Sequence, residues 1–278
     1  MLLDISSSTV IYSIIATIVI ILITGLWLVI KLQNNNNNTG LNGTIQTDSK
    51  TVTEKPTIAI MGPMNVGKTT LFNYLTTTTI RPCVTSQEVS MWPRLLNGNI
   101  TLIEFPGHIK LQYKWQTWLS KVTENVNTTN LKGIIFVVDS TLSPEQWDKP
   151  AELLVDILEE IESLEHPTSV LIACNKNESF TARPPQKIKQ FLEQKIGEVL
   201  ARRKASLATG HKSNASRNNR GGDDEDQDDY TTDSTLLNTF ANPLQFRFDA
   251  LETSVEALAG SVLKKNVDSW QQWLEDHE

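Results

Sequence analysis

Three kinds of hydrophobic patterning follow one another along the chain. The first is continuous: from Ile5 to Ile30 there is no charged residue, and VIYSIIATIVIILITGLWLVI, residues 10–30, is as long as a bilayer-spanning helix. No basic residue precedes this run, it outruns the apolar core of a cleaved leader, and no small-residue cleavage signal accompanies it, so it reads as a retained anchor. The second pattern is polar and aperiodic, QNNNNNTGLNGTIQTDSKTVTEKP, and predicts a disordered tether over residues 31–55. In the third, from Thr57 onward, short β-rich runs alternate with helical spacing.

That alternation predicts an α/β fold, a mostly parallel sheet covered by helices. The expected strands are Thr57–Met61, 99–105, 133–138, Ser169–Asn175 and 244–248, most of them continuous apolar runs suited to burial on both faces. Asn97-Gly98 between two apolar stretches predicts a tight hairpin, which adds one antiparallel edge strand where Pro93 is tolerated. Leu153, Leu154, Ile157, Leu158, Ile161 and Leu164 share one helical face. Ile188, Phe191, Leu192, Ile196, Val199 and Leu200 share another, after Pro184-Pro185. Val262, Leu263, Val267, Trp270 and Leu274 predict a closing helix over 262–274. Between 202 and 234 apolar residues nearly vanish, and basic RRK gives way to DDEDQDD at 223–229, so a disordered insertion is expected inside a domain spanning 56–278.

Charge and cysteine usage narrow the function. A net charge of -7 offers no general pull toward phosphate backbones and argues against direct nucleic-acid binding. The only cysteines are Cys83, in a polar loop, and Cys174, in an apolar run, a pairing that argues against a structural disulfide. Asp4 before the anchor and Lys31 after it place residues 1–9 on the lumenal side and the bulk of the chain in the cytosol.

The chemistry lies in the loops. GPMNVGKT fits G-x-x-x-x-G-K-[ST], with a predicted strand before it and a predicted helix after it. Gly62, Pro63, Met64, Asn65, Val66, Gly67, Lys68, Thr69 and Thr70 therefore form a candidate phosphate cradle, in which Lys68 neutralises outer phosphates and Thr69 offers a hydroxyl to Mg²⁺. CNKNE, ending the apolar run at 169–175, resembles the guanine-reading N-K-x-D of Ras-like GTPases, with Asn175, Lys176 and Glu178 at the matching positions. Glu178 is one methylene longer than the usual Asp and keeps the double-acceptor chemistry. IEFPGH resembles D-x-x-G: Gly107 matches, Glu104 replaces the metal-holding Asp, and His108 stands where the water-orienting glutamine is found. In the intervening loop Thr85 is the candidate switch threonine for Mg²⁺ and the terminal phosphate, flanked by Cys83, Val84 and Ser86.

Together GPMNVGKTTLFNYL, TSQE, FPGH, FVVDS, ACNK and GSVLKKNVDSWQQWL, behind one N-terminal anchor, resemble the fungal signal recognition particle receptor β subunits. The resemblance implies a P-loop Ras-like fold related to the ADP-ribosylation factors, preceded by a single transmembrane helix. It also implies residence in the endoplasmic reticulum membrane, GTP and Mg²⁺ as cofactors, a heterodimer with the receptor's α subunit, and only indirect contact with ribosome or translocon. On this reading GTP is a condition for assembly, and hydrolysis to GDP is slow or externally triggered. A membrane-attached transport GTPase that cycles rapidly, with His108 as its catalytic residue, is the alternative. The loop near the base is expected around residues 252–254.

Overall fold

The strand TIAIM is buried at every position because sheet neighbours flank it and helices cover both its faces. It is β1 (Thr57–Met61) in a computed structural model that describes residues 55–124, 130–164, 166, 168–215, 235–240 and 242–277. The elements that follow are α1 (Lys68–Thr77), β2 (Ser90–Leu95), β3 (Ile100–Glu104), α2 (Tyr113–Glu124), β4 (Leu131–Asp139) and α3 (Asp148–Glu162). After them come β5 (Ser169–Asn175), α4 (Pro185–Ala215), α5 (Thr235–Thr239), β6 (Val255–Ala259) and α6 (Asp268–Asp276). The expected lumenal residues 1–9, the anchor at 10–30 and the tether up to residue 54 lie outside the described residues. Among the described residues no helix is long and apolar enough to cross a membrane.

The sheet order is β2-β3-β1-β4-β5-β6, parallel throughout except for β2 against β3. β2 is an edge strand, and its register with β3 shifts between Trp92 and Leu95, where Pro93 withholds a ladder donor. The expected hairpin is present, turned by Leu96–Gly98, with Gly98 at φ +93.

Alternate strand residues feed two cores. Ala59, Met61, Phe136, Val138 and Ile172 face α2, α3 and α4, which contribute Trp115, Leu119, Leu154, Leu158, Ile188 and Leu192. Ile58, Ile60, Ile135, Val137 and Leu171 face α1 and α6, which contribute Leu71, Phe72, Trp270, Trp273 and Leu274. Helices therefore close both faces, as continuous apolar strands require.

The fifth expected strand does not form. Residues 244–248 are two short 3-10 turns, Pro243–Gln245 and Phe248–Ala250, although LQFRF alternates like a strand. Glu193 of α4 captures this segment: its carboxylate accepts the Phe248 N–H at 3.1 Å and pairs with Arg247 at 2.7 Å, and Phe246 packs edge-on against Phe248. The last strand is instead β6, whose VEALA is only half-buried at the sheet edge. Helix α4 also runs on through residues 202–215 of the expected insertion. Two of its basic residues pair with α3: Arg202 meets Glu152, and Arg203 meets Asp156 and Glu159. Residues 216–234 lie outside the described residues. The closing helix begins only at Asp268, and Leu263, expected on its apolar side, is exposed in the turn before it.

The chain enters β1 from Lys55 and Pro56, at the end of the strand opposite Gly62; there the Thr57 N–H donates to Asn130 O and the Thr101 N–H to Pro56 O. Loops with chemical potential collect at the other end, beyond the C-terminal ends of the parallel strands.

Candidate functional site

At the C-terminal end of β1 the backbone takes left-handed turns that few side chains tolerate: Gly62 at φ +138 and Gly67 at φ +99. A Cβ on Gly62 would lie 2.4 Å from Val137 O, so the loop packs directly on β4. Gly67 is the N-cap of α1, and no side chain caps this helix terminus and no acidic residue occupies its first turn. Its backbone N–H groups and the positive end of its dipole are thus left for an anion.

Lys68 is buried, and its ammonium donates to Pro63 O at 2.6 Å. Burial lowers the amine's pKa to about 8, opposed by the nearby Glu104 carboxylate. Thr69 donates its hydroxyl to Glu104 Oε1 at 2.5 Å. Glu104 is fully buried at the end of β3, and its Oε2 has no hydrogen-bond partner among the described residues. Burial raises its pKa, and the Thr69 hydroxyl and Lys68 pull the other way. A buried carboxylate oxygen without a partner, beside a hydroxyl, is a donor set suited to a hard cation. No group of three or more His, Cys, Asp or Glu that could hold a metal occurs among the described residues, so such an ion would draw its remaining oxygens from phosphate and water.

Above these residues lies a cleft of about 230 Å³, lined by Met64, Asn65 and Gly67 of the loop, by Lys68, Thr69 and Thr70 of the first turn of α1, by Cys83, Val84, Thr85 and Ser86, and by Gly107. Three separate candidate segments thus meet in one cavity. Thr85 and Val84 are exposed at the rim, whereas Cys83 is half-buried, its Sγ accepting from Asn73 Nδ2 at 3.2 Å and donating to Arg81 O at 3.1 Å. Gly107 has no space for a side chain: a Cβ there would lie 2.3 Å from Lys68 Nζ and 2.7 Å from Gly62 O. His108 lies outside this lining. It borders a neighbouring cleft of about 290 Å³ together with Ile109, Gln112 and Leu153, and its Nδ1 accepts the Lys110 N–H at 3.1 Å.

The two cysteines differ sharply. Burial pushes the Cys174 thiol up to about 12, while Cys83 reaches the cleft. Since the thiolate is the reactive species, iodoacetamide at pH 8 is expected to modify one of the chain's two cysteines, Cys83, in the native protein, and both in urea. Peptide mass spectrometry reads the outcome, and rapid native labelling of Cys174 would contradict the packing of β5.

Asn175 ends β5 and is almost wholly enclosed. Its amide donates to Val66 O at 2.7 Å, and its Oδ1 accepts the Val262 N–H at 3.1 Å, so one side chain ties the phosphate loop to the segment after β6. Lys176 adopts φ +64 and places its ammonium 2.6 Å from Asp139 Oδ2 at the end of β4. Glu178 is exposed in the following turn. The expected base loop at 252–254 is at the wrong end of its strand: the Glu252 and Thr253 N–H groups donate to Glu162, before β6 begins. Gly260, Ser261 and Val262, after β6, are the residues beside Asn175. They went unrecognised because β6 itself was missed. Asp139 ends β4 level with Asn175, one residue beyond the strand expected at 133–138.

Comparison with known proteins completes this description. The profile of a family described as signal recognition particle receptor beta subunit matches residues 53–255. The Saccharomyces cerevisiae protein of that name is 40% identical over 232 residues, 83% of this chain and 88% of the yeast chain. Among solved structures, the mammalian SRP receptor superposes with a TM-score of 0.57 at 23% identity, over 80% of this chain and 100% of that chain. The SRb-GTP/SRX complex from Chaetomium thermophilum superposes with a TM-score of 0.56 at 20% identity, over 81% of this chain and 100% of that chain. These superpositions establish the fold, a Ras-like α/β domain with a six-stranded mixed sheet. Profile match and yeast identity together carry the assignment further: the chain belongs to the signal recognition particle receptor beta subunit family.

Proposed function

We propose that this protein is the membrane-anchored, GTP-binding subunit of the signal recognition particle receptor, holding the receptor's α subunit at the endoplasmic reticulum for co-translational targeting. The observation that carries this reading is the convergence of the phosphate loop, the 83–86 loop and Gly107 on one cleft. The Chaetomium thermophilum relative, solved with GTP in complex with SRX, supports the choice of nucleotide and of partner.

In this function the backbone of residues 62–70 cradles the phosphates and Lys68 neutralises their charge. Thr69, Thr85 and Glu104 would hold Mg²⁺, which would offset the charge of the phosphates. Asn175 fixes the loops around the base, Lys176 covers it and Glu178 accepts from its edge. Gly107 senses the terminal phosphate, since any group arriving beside Lys68 meets a segment with no spare room. GTP then favours one arrangement of residues 83–86 and 107–108, and the α subunit binds that arrangement. His108 is the residue to orient water for hydrolysis. Its position outside the cleft lining supports slow turnover and a nucleotide retained as a condition of assembly. Residues 10–30 cross the membrane once, residues 1–9 are lumenal, 31–55 form the tether, and the GTPase domain at 56–278 is cytosolic.

The test loads the full chain, in detergent, with GTP, GDP or no nucleotide and measures capture of purified α subunit. Binding at least about tenfold tighter with GTP is expected, a differential affinity of about 1.4 kcal/mol between the two loop arrangements. Equal capture in all three states would sink the proposal. Prompt conversion of the loaded GTP to GDP would favour the rapidly cycling GTPase instead.

A further inference from the structure

One ion pair beside the site has no evident part in the core. β4 and β5 end level, with Asp139 opposite Asn175 in the parallel register. Asp139 Oδ1 accepts both the backbone N–H and the hydroxyl of Thr141, at 2.9 and 2.6 Å, so the carboxylate is fixed before it meets any other partner. Its Oδ2 then takes the Lys176 ammonium at 2.6 Å.

We propose that Asp139 is a positioning residue for base recognition: it holds Lys176 by the tip, so that the lysine stem stands ready as one wall of the guanine site. This inference rests on the GTP-binding reading above.

Lys176 is constrained at both ends. Its backbone sits in the left-handed region, held by a turn in which the Ser179 N–H donates to Lys176 O and the Asn177 N–H to Gly260 O. Non-glycine residues adopt that conformation at a cost and persist there where the surroundings demand it. With backbone and ammonium both fixed, the intervening methylenes have little freedom left to lose. An untethered lysine would surrender rotamer entropy when a base packed on its stem. Anchoring it beforehand transfers that cost from the binding step to folding, the general basis of preorganisation. The alternative account is an ordinary surface salt bridge. The Lys176 side chain is 37% exposed and that of Asp139 13%, so the pair contributes little to overall stability. Burial alone would raise the Asp139 pKa, but the bonds from Lys176 and Thr141 bring it below the usual carboxylate range. The charge that grips Lys176 is therefore present at any pH where the protein works.

The experiment follows dissociation of a ribose-labelled fluorescent GTP from the full chain in detergent. Asp139→Asn retains the shape and the acceptor for Thr141 but removes the charge, and is expected to speed dissociation about tenfold, as loss of a charge-assisted contact implies. Lys176→Met, which keeps an apolar stem but has no tip to hold, should speed it comparably and serves as the test if Asp139→Asn does not fold. In the Lys176→Met background, adding Asp139→Asn should change the rate less than about twofold, because the anchored group is already gone. The melting temperature of the nucleotide-free protein should move little in either variant. Dissociation from Asp139→Asn within twofold of the parent would overturn the proposal, as would an equal acceleration in both backgrounds. A parent chain that binds no analogue overturns the GTP reading, and this inference with it.

Discussion

Replacing Lys68 with methionine is expected to abolish GTP binding and, at the same time, to make the empty fold more stable. Lys68 is buried, with an amine pKa lowered from 10.5 to about 8 by burial, opposed by Glu104. A lysine whose folded pKa lies below its unfolded value binds fewer protons folded than unfolded between the two. Stability therefore rises with pH across the window from about 8 to 10.5, and below it the charged amine weighs against the fold. Methionine fills a similar volume without that charge, at the loss of the donor to Pro63 O and of the cation that faces the buried Glu104. A gain on the order of 1 kcal/mol at pH 7 is the expected balance of relieved desolvation against one lost hydrogen bond and the lost attraction to Glu104. GTP affinity should fall at least about 100-fold, since a charge-assisted contact to phosphate in a partly dry site is removed. Urea denaturation and equilibrium nucleotide binding measure the two effects separately. A variant that loses binding and stability together would show that Lys68 supports the loop rather than its ligand.

The second large effect belongs to Asn175. Asn175→Ala is expected to lower stability by about 2 to 4 kcal/mol, because it leaves two buried backbone groups, Val66 O and the Val262 N–H, without their partner. Asn175→Asp should be at least as damaging. It still accepts from Val262, but it sets a carboxylate oxygen against the Val66 carbonyl where the amide had donated. Urea titration of the nucleotide-free chain is the appropriate measurement, since any loss there is independent of base recognition. Full stability in both variants would mean that water replaces the side chain at no cost.

The contrast between Asn175 and Glu178 bears on how much of the site could be read from the sequence. Six of the nine residues expected in the phosphate loop line the cleft, legible because glycine, lysine and threonine answer to local backbone and charge requirements, whereas Val66 is buried in the core and Gly62 and Pro63 lie outside the lining. The 83–86 loop was placed by its position between motifs, and it lines the same cleft. Asn175 was identified as a base reader, yet its hydrogen bonds in the structure go to Val66 and Val262, partners that a linear motif does not name. In the fold, the long apolar runs that became β1, β4 and β5 were unambiguous. LQFRF misled because its alternation is satisfied by aromatic packing and by Glu193 rather than by a ladder, and VEALA was passed over because an edge strand needs little apolar surface. Arg202 and Arg203 read as a solvated basic run until α3 supplied the acids opposite them.

The two ends of β1 give the domain a mechanical polarity. The chain arrives at one end through Pro56 and leaves at the other through Gly62 into the phosphate loop, with β3 and β4 bonded along both edges. A pull on the N-terminal side, resisted by a partner gripping the loops around the cleft, runs lengthwise down the central strand. Its ladder bonds lie across that load and share it, so they yield together in shear instead of unzipping one by one.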